Sequence, residues 1–413
     1  MYCIKKVHIK DKELYPRLQE LSILSCNLYN RALYVVRQAY TQKTENILEY
    51  QDIINDRNYI NGFALRKRMC ALNDFDYRSF PDNNTINNTI YGIHRSFSAF
   101  FALLKKKKND SKLKVNMPRY VKEKDKLKTS KITIDGSKIR RKNGNLVFPN
   151  NLKLKPIKDF LKFDDVIKEI RIVCKHGEFY YYVCYESANN ENQNVIGDKT
   201  LSIDVGVGNI LTCVTEDGDN FIIDGKKLKS INQHFNKELS KAYSYVGDKG
   251  VSNRIQKLYH KRMNKMNNEF HNISNYIVEY CKKNGISKIV IGKNVGWKQN
   301  NKFGKRIKQH FLQIAHAELL NKIKYKCERI GIEFCFVEES HTSKCDALAK
   351  EEICHQDEYK GRRKYRGLFI SSVGKQINAD INGALNIMRK VKGDDFIDSV
   401  NLNKLLSPKK ITI

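Results

Sequence analysis

The hydrophobic period of this chain changes twice before residue 190, and that switching limits the folds open to it more than any other feature. Residues Tyr2 to Ile9 alternate as a strand does. From Leu14 the apolar positions fall at helical spacing through Leu18, Leu21, Leu24, Leu28, Ala32 and Val35. Further helical stretches cover Tyr59 to Leu72 and Asn84 to Leu104, the second with Ile86, Ile90, Ile93, Phe97, Phe100 and Phe101 on one face. From Lys112 to Glu186 the pattern is β again. Asp135-Gly136 and Asn143-Gly144 signal turns, and Ile167 to Val173 is placed to pair with Glu178 to Tyr185 across Lys175-His-Gly177. A helical insert, residues 12–109, is therefore expected to interrupt a β domain made of residues 1–11 and 110–190.

Residues 191–199 are polar and Asn-rich and read as a linker. Beyond them, Thr200 to Thr215 and Phe221 to Asp224 look like consecutive strands. A long helical stretch, broken at Gly247 and Gly250, stops at Asn284-Gly285. Strand Ser287 to Gly292, helix Gln309 to Ile330, strand Ile332 to Glu338, an irregular segment and helix Ala379 to Val391 follow. The whole predicts an α+β and α/β multidomain chain whose last domain is a mixed sheet flanked by helices, an order that suits the ribonuclease H-like architecture.

At 413 residues the chain exceeds one core. Its 76 Lys and Arg against 45 Asp and Glu give a formal charge of +31, which points to a polyanionic partner. Phe179, Tyr180, Tyr181, Tyr182 and Tyr185 crowd one strand. They serve either as half core and half surface by alternation or as an RNA-stacking face, with Tyr181 a candidate contact. Lys105 and Lys106, in the run Lys105-Lys-Lys-Lys108, are a solvated helix end or further nucleic-acid contacts. The 11 scattered cysteines read as reduced thiols in a cytosolic compartment. No run of about 18 apolar residues predicts a membrane span, and the opening Met1-Tyr-Cys-Ile-Lys-Lys carries no secretory signal. A cytoplasmic, nucleoid-associated protein of a prokaryote is expected.

The chemistry is concentrated in three acidic patches: Leu201-Ser-Ile-Asp-Val-Gly-Val-Gly208, Phe336-Val-Glu-Glu-Ser340 and Ile377-Asn-Ala-Asp-Ile-Asn-Gly-Ala384. Asp204 falls within an apolar strand, where an unpaired carboxylate is costly, and Asp380 opens an amphipathic helix. Carboxylates gathered from separate elements can hold two divalent cations that clamp the attacking and leaving oxygens of a phosphodiester. In so basic a chain that combination suggests a nuclease.

Taken in order, Ile203-Asp-Val-Gly206, Asp224-Gly-Lys-Lys-Leu-Lys-Ser230, His341-Thr-Ser-Lys-Cys345 and Ala379-Asp-Ile-Asn-Gly-Ala-Leu-Asn-Ile387 resemble the TnpB family of transposon-encoded, RNA-guided DNA nucleases, relatives of the type V CRISPR effectors and the Fanzor proteins. Asn30-Arg-Ala-Leu33, Met117-Pro-Arg-Tyr120 and Ile170-Arg-Ile-Val173 extend the likeness upstream. The resemblance implies a wedge-type β-barrel with a helical recognition insert, then a RuvC domain over 200–340 and 376–395, a target-binding insert over 341–375 and a tail over 396–413. It also implies a guide RNA, double- and single-stranded target DNA read beside a short adjacent motif, and cleavage with Mg2+, for which Mn2+ substitutes.

Two departures stand out. The family closes a strand of the type Ile-Val-Ile with its second catalytic Glu, and here Gly292 holds that place. Some relatives supply a downstream Glu instead, so the expected catalytic and metal-binding set is Asp204, Glu339 and Asp380, with Glu338 a surface neighbour. The family's zinc-ribbon pairs are also degenerate. Leu348 stands three residues after Cys345, and Ile370 and Val373 replace the second pair. Structural zinc is therefore not expected, packing taking its place, although Cys354, His355 and His341 lie nearby. Between the pairs, Lys360-Gly-Arg-Arg-Lys-Tyr-Arg366 offers Arg362, Arg363, Lys364 and Arg366 as phosphate contacts. The competing readings are a nuclease-dead, RNA-guided DNA-binding protein and an RNA-independent resolvase or transposase.

Overall fold

The computed structural model describes residues 2–110, 113–130, 132–187, 197–247, 252–293, 314–365 and 367–413. The chain divides into two units, Met1–Asn189 and Asn190–Ile413.

In the first unit, β1 (Tyr2–His8), β2 (Thr133–Asp135), β6 (Val166–Lys175) and β7 (Glu178–Glu186) form an antiparallel sheet in the order β1-β7-β6-β2. The β6–β7 hairpin turns on His176 and Gly177, both at positive φ, the two-residue geometry that matches strand twist. A second small sheet joins β3 (Arg140–Lys142), β4 (Asn145–Val147) and β5 (Ile157–Lys158). Its β3–β4 hairpin turns on Asn143 and Gly144, again both at positive φ.

Between β1 and β2 lie α1 (Tyr15–Tyr40), α2 (Gly62–Ala71), α3 (Phe75–Ser79) and α4 (Asn83–Lys107). Asn61 and Asp82 cap α2 and α4 by accepting from the Ala64 and Thr85 amides. The α4 stripe Ile86, Ile90, Ile93, Phe97 and Phe100 is buried against α1 residues such as Leu21, Leu28 and Val35. Burial of that apolar face, rather than propensity, holds these helices.

In the second unit, β8 (Lys199–Val205), β9 (Asn209–Thr215), β10 (Asn220–Asp224), β11 (Ile286–Gly292), β12 (Glu333–Val337) and β16 (Lys409–Ile411) form one sheet in the order β12-β11-β8-β9-β10-β16. β11 runs parallel to β8 and β12, β8 to β10 are antiparallel, and β16 is parallel to β10. Helices α5 (Lys226–Val246), α6 (Asn253–Lys283), α7 (His316–Glu328) and α8 (Ala379–Lys392) accompany the sheet. Leu201, Ile203, Phe270, Ile277, Ile289 and Leu319 belong to one core, and Val214, Ile381, Ala384 and Leu385 to another. A short sheet of β13 (Arg362–Tyr365), β14 (Leu368–Ile370) and β15 (Gln376–Asn378) leads into α8.

Candidate active site

Asp204 lies near the end of β8, the third strand from the sheet's β12 edge, with Thr212 of β9 as its register partner. Alternation turns Leu201, Ile203 and Val205 to one core and sends Asp204 to the face crossed by α8. The helix comes close because Gly383 has no side chain: a Cβ there would stand 3.1 Å from Asp204 Oδ2. Burial, and then the negative charges of Asp380 and Glu339, push the Asp204 carboxyl up to about 7, against a hydrogen bond from the Val205 amide and the charge of Arg363.

Asp380 occupies the first turn of α8, whose N-cap is Asn378; the Asn378 side chain accepts from the Asp380 amide at 2.9 Å. Asn209 Nδ2 donates to Asp380 Oδ2 at 2.7 Å, and Arg363 Nη2 reaches Oδ1 at 3.3 Å. Glu339 follows β12 by two residues. Its carboxyl is raised by burial, opposed by the charge of Lys390. It stands against Gly292, the last residue of β11: a Cβ at 292 would lie 2.8 Å from Glu339 Oε2. Glu338 is exposed, accepts from Ser340 Oγ and lies 3.9 Å from Lys390 Nζ.

The fold thus gathers Asp204, Glu339 and Asp380 into one electrostatic neighbourhood and leaves Glu338 outside it. Their donors are hard carboxylate oxygens, a chemistry suited to magnesium or manganese, and a bound cation would relieve the mutual repulsion that raises Asp204. Among the described residues no group of three His, Cys, Asp or Glu is placed closely enough to hold a metal ion. Sequence reasoning missed Asn209, Gly383 and Lys390. Each touches the site through its position in the tertiary fold, and only Gly383, beside Asp380 in an apolar helix, carried a local signal of close approach.

The remaining candidates separate by exposure. Arg362, Arg363 and Lys364 are exposed on β13, with Arg363 paired to Asp380; Arg366 lies outside the described residues, as do Trp297 and the start of the helix expected from Gln309. Lys105 and Lys106 are exposed in the last turn of α4. Tyr181 is a correction. It is 1% exposed and stacks on Phe148 with ring centroids 4.9 Å apart, so the pleat commits it to the core and no base can reach it. Tyr180 is also buried, with Lys6 Nζ 3.8 Å from its ring centre.

Another correction concerns what holds residues 341–375. Packing does not substitute at every ribbon position: Leu348 is buried, but Val373 is half exposed. The junction is polar instead. The fully buried Asp346 carboxylate accepts from Ser371 Oγ at 2.8 Å, the Ser372 amide at 2.7 Å and Ser372 Oγ at 3.1 Å. Cys345 is turned away, its thiol directed at the Cys354 carbonyl at 3.6 Å.

Comparison with known proteins agrees with this picture. Residues 182–298 match a family described as probable transposase, OrfB_IS605, and residues 316–387 match the Cas12f1-like TNB domain. The TnpB-like protein ORF457 of Acidianus two-tailed virus is 23% identical over 348 residues, 73% of this chain and 71% of that protein. Among solved structures, the Cas12f1–sgRNA–target DNA complex is similar over 91% of this chain and 83% of its own, with 16% identity and a TM-score of 0.52. The mini-RNA-guided endonuclease CRISPR-Cas_phi3 is similar over 99% and 93%, with 10% identity and a TM-score of 0.50. Those likenesses are of fold, and the two family matches follow one another along the part of the chain that carries the acids; together the matches support the TnpB family.

Proposed function

We propose that this protein is an RNA-guided DNA endonuclease whose second catalytic acid has moved from the end of β11 to Glu339. The observation that carries the reading is the Glu339 carboxylate beside Gly292, within the field of Asp204. In this reading the second unit is a RuvC domain of ribonuclease H-like layout over 200–340 and 376–395, with 341–375 as a target-binding insert. The first is a wedge barrel, 1–11 and 110–190, carrying the recognition insert 12–109. The guide RNA supplies sequence choice by base pairing, the protein reads a short duplex motif, and the setting is the prokaryotic nucleoid.

Bound magnesium, or manganese in its place, supplies Lewis acidity for activating water and stabilising the departing oxygen. The residues do the rest. Asp204, fixed by the strand, and Asp380, fixed by its helix N-terminus, present oxygens from two sides, and Glu339 completes the set from the β12 end. Asn209 holds one Asp380 oxygen, which orients the other. Arg362 and Lys364 meet backbone phosphates.

The test is guided cleavage by the purified ribonucleoprotein, with the copurifying RNA sequenced to define the guide. Asp204→Ala, Glu339→Ala and Asp380→Ala should each abolish cutting while RNA and DNA binding stay nearly intact. Wild-type protein that binds its cognate target with magnesium and never cuts it would establish the nuclease-dead alternative. Protein without affinity for RNA would favour the RNA-independent one.

A further inference from the structure

Moving an acid off a strand removes the constraint that placed it. The β11–β12 ladder ends at the pair Gly292 and Val337, closed by the Lys293 amide donating to the Val337 carbonyl at 2.8 Å. Glu339 lies beyond that point, on a turn. Something else must fix it, because an acid free to swing would hold neither metal nor proton at a defined place.

The turn is fixed from α8. The Glu339 carbonyl accepts from Thr342 Oγ1 at 2.8 Å and from the Thr342 amide at 3.2 Å, a closure that puts His341 at φ +65°. The Thr342 carbonyl in turn accepts from Asn386 Nδ2 at 2.8 Å. The same nitrogen donates to the Cys345 carbonyl at 2.7 Å, which Asn382 Nδ2 also reaches at 2.8 Å. Lys390 Nζ donates to the carbonyls of Glu338 at 2.8 Å and Ser340 at 3.1 Å. Asn382, Asn386 and Lys390 are spaced by four, so they form one stripe on the helix that bears Asp380 in its first turn. Thr342, Asn382 and Asn386 are buried, and the Glu339 carbonyl keeps the Thr342 amide as a donor when the hydroxyl is removed, so the hydroxyl tunes the turn without being needed to hold the fold.

We propose that Thr342 and Asn386 are positioning residues for Glu339, and that the Asn382–Asn386–Lys390 stripe registers the relocated acid against Asp380. One helix then supplies one carboxylate directly and sets the other through the backbone it grips. This rests on the proposed function, because it assigns Glu339 to the metal-binding set.

The experiment uses the full ribonucleoprotein with Thr342→Val, which loses only the hydroxyl, Thr342→Ser, which keeps it, and Glu339→Ala as reference. Manganese affinity is measured by electron paramagnetic resonance, beside guided cleavage rate, target affinity and Tm. Thr342→Val should weaken manganese binding and slow cleavage by about 10- to 100-fold, the range typical of outer-shell partners, with target affinity and Tm close to wild type. Thr342→Ser should recover most of both. Thr342→Val with wild-type manganese affinity would overturn the proposal, as would failure of Thr342→Ser to recover it, or a loss of Tm and target binding in step with the rate. If wild-type protein cuts and Glu339→Ala binds manganese as wild type does, Glu339 is not in the set and the inference falls with that assignment. A wild type that neither binds manganese nor cuts defeats the proposed function itself.

Discussion

The Glu339 carboxylate fills the space in which a side chain on Gly292 would begin, 2.8 Å from Oε2 and 3.1 Å from the Glu339 Cβ. A side chain at 292 and the present pose of Glu339 therefore compete for one space, and one of them must shift. Restoring Glu at 292 should not improve the enzyme: Gly292→Glu, which must also displace Ile387 Cδ1 at 2.6 Å, is expected to lower both Tm and guided cleavage rate. A Gly292→Glu protein that cuts as fast as wild type would show that both carboxylates fit.

Asp204 sets a pH dependence. Its folded pKa of about 7 lies above the ordinary 3.8, so the metal-free folded state binds the proton more tightly than the unfolded state does. Stability from this group is present below about pH 4 and is lost as pH rises towards 7. Asp204→Asn should therefore raise the Tm of metal-free protein at pH 8, by about 2–4 °C for each kcal/mol relieved, and the gain should vanish near pH 4. Cleavage at limiting magnesium should climb through pH 7 as the ligand is freed.

Asp346 should behave as a structural clasp. Asp346→Ala leaves the buried Ser371 hydroxyl without its acceptor, at a cost of about 1–3 kcal/mol, and frees the amide of the exposed Ser372. The melting curve should show that loss, while a zinc-selective chelator leaves wild-type Tm unchanged. A chelator effect as large as the substitution would mean that a metal holds this segment.

The basic β13 residues should divide in their effects. Arg362→Ala and Lys364→Ala should weaken target binding at all sequences and each reduce the salt slope by about one. Arg363→Ala should instead lower the magnesium needed for half-maximal cleavage, since its guanidinium shares Asp380 Oδ1. Titrating salt and magnesium separately distinguishes the two.

Legibility in the sequence followed the range of the forces. The α4 stripe, the Asn143-Gly144 turn and the end of α6 before Asn284-Gly285 depend on neighbours within a turn or two, and period and turn chemistry report them. Glu339 could be singled out because the resemblance places a substitute acid there, alternation setting Glu338 on the other side. Tyr181 could not be resolved: five aromatics in one strand look alike until the packing of Phe148 selects a face. Strand β16 carries only three residues and too little pattern to announce its place beside β10. The Asp346 clasp joins residues 25 apart through side-chain oxygens, which no hydrophobic period encodes.

The pairing of β1 with β7 also orders the birth of the first unit. Tyr2 meets Glu186, 186 − 2 = 184 residues later, and among the described residues β1 pairs with no other strand. At translation rates of about 5–20 residues per second, the first strand made waits on the order of 10–40 seconds for its partner, while α1, α2 and α4 can form from local contacts. An unpaired strand invites association with other chains during that interval. Lys5 and Lys6 put charge along β1, the kind of residue that guards an unpaired edge, until the β6–β7 hairpin is made.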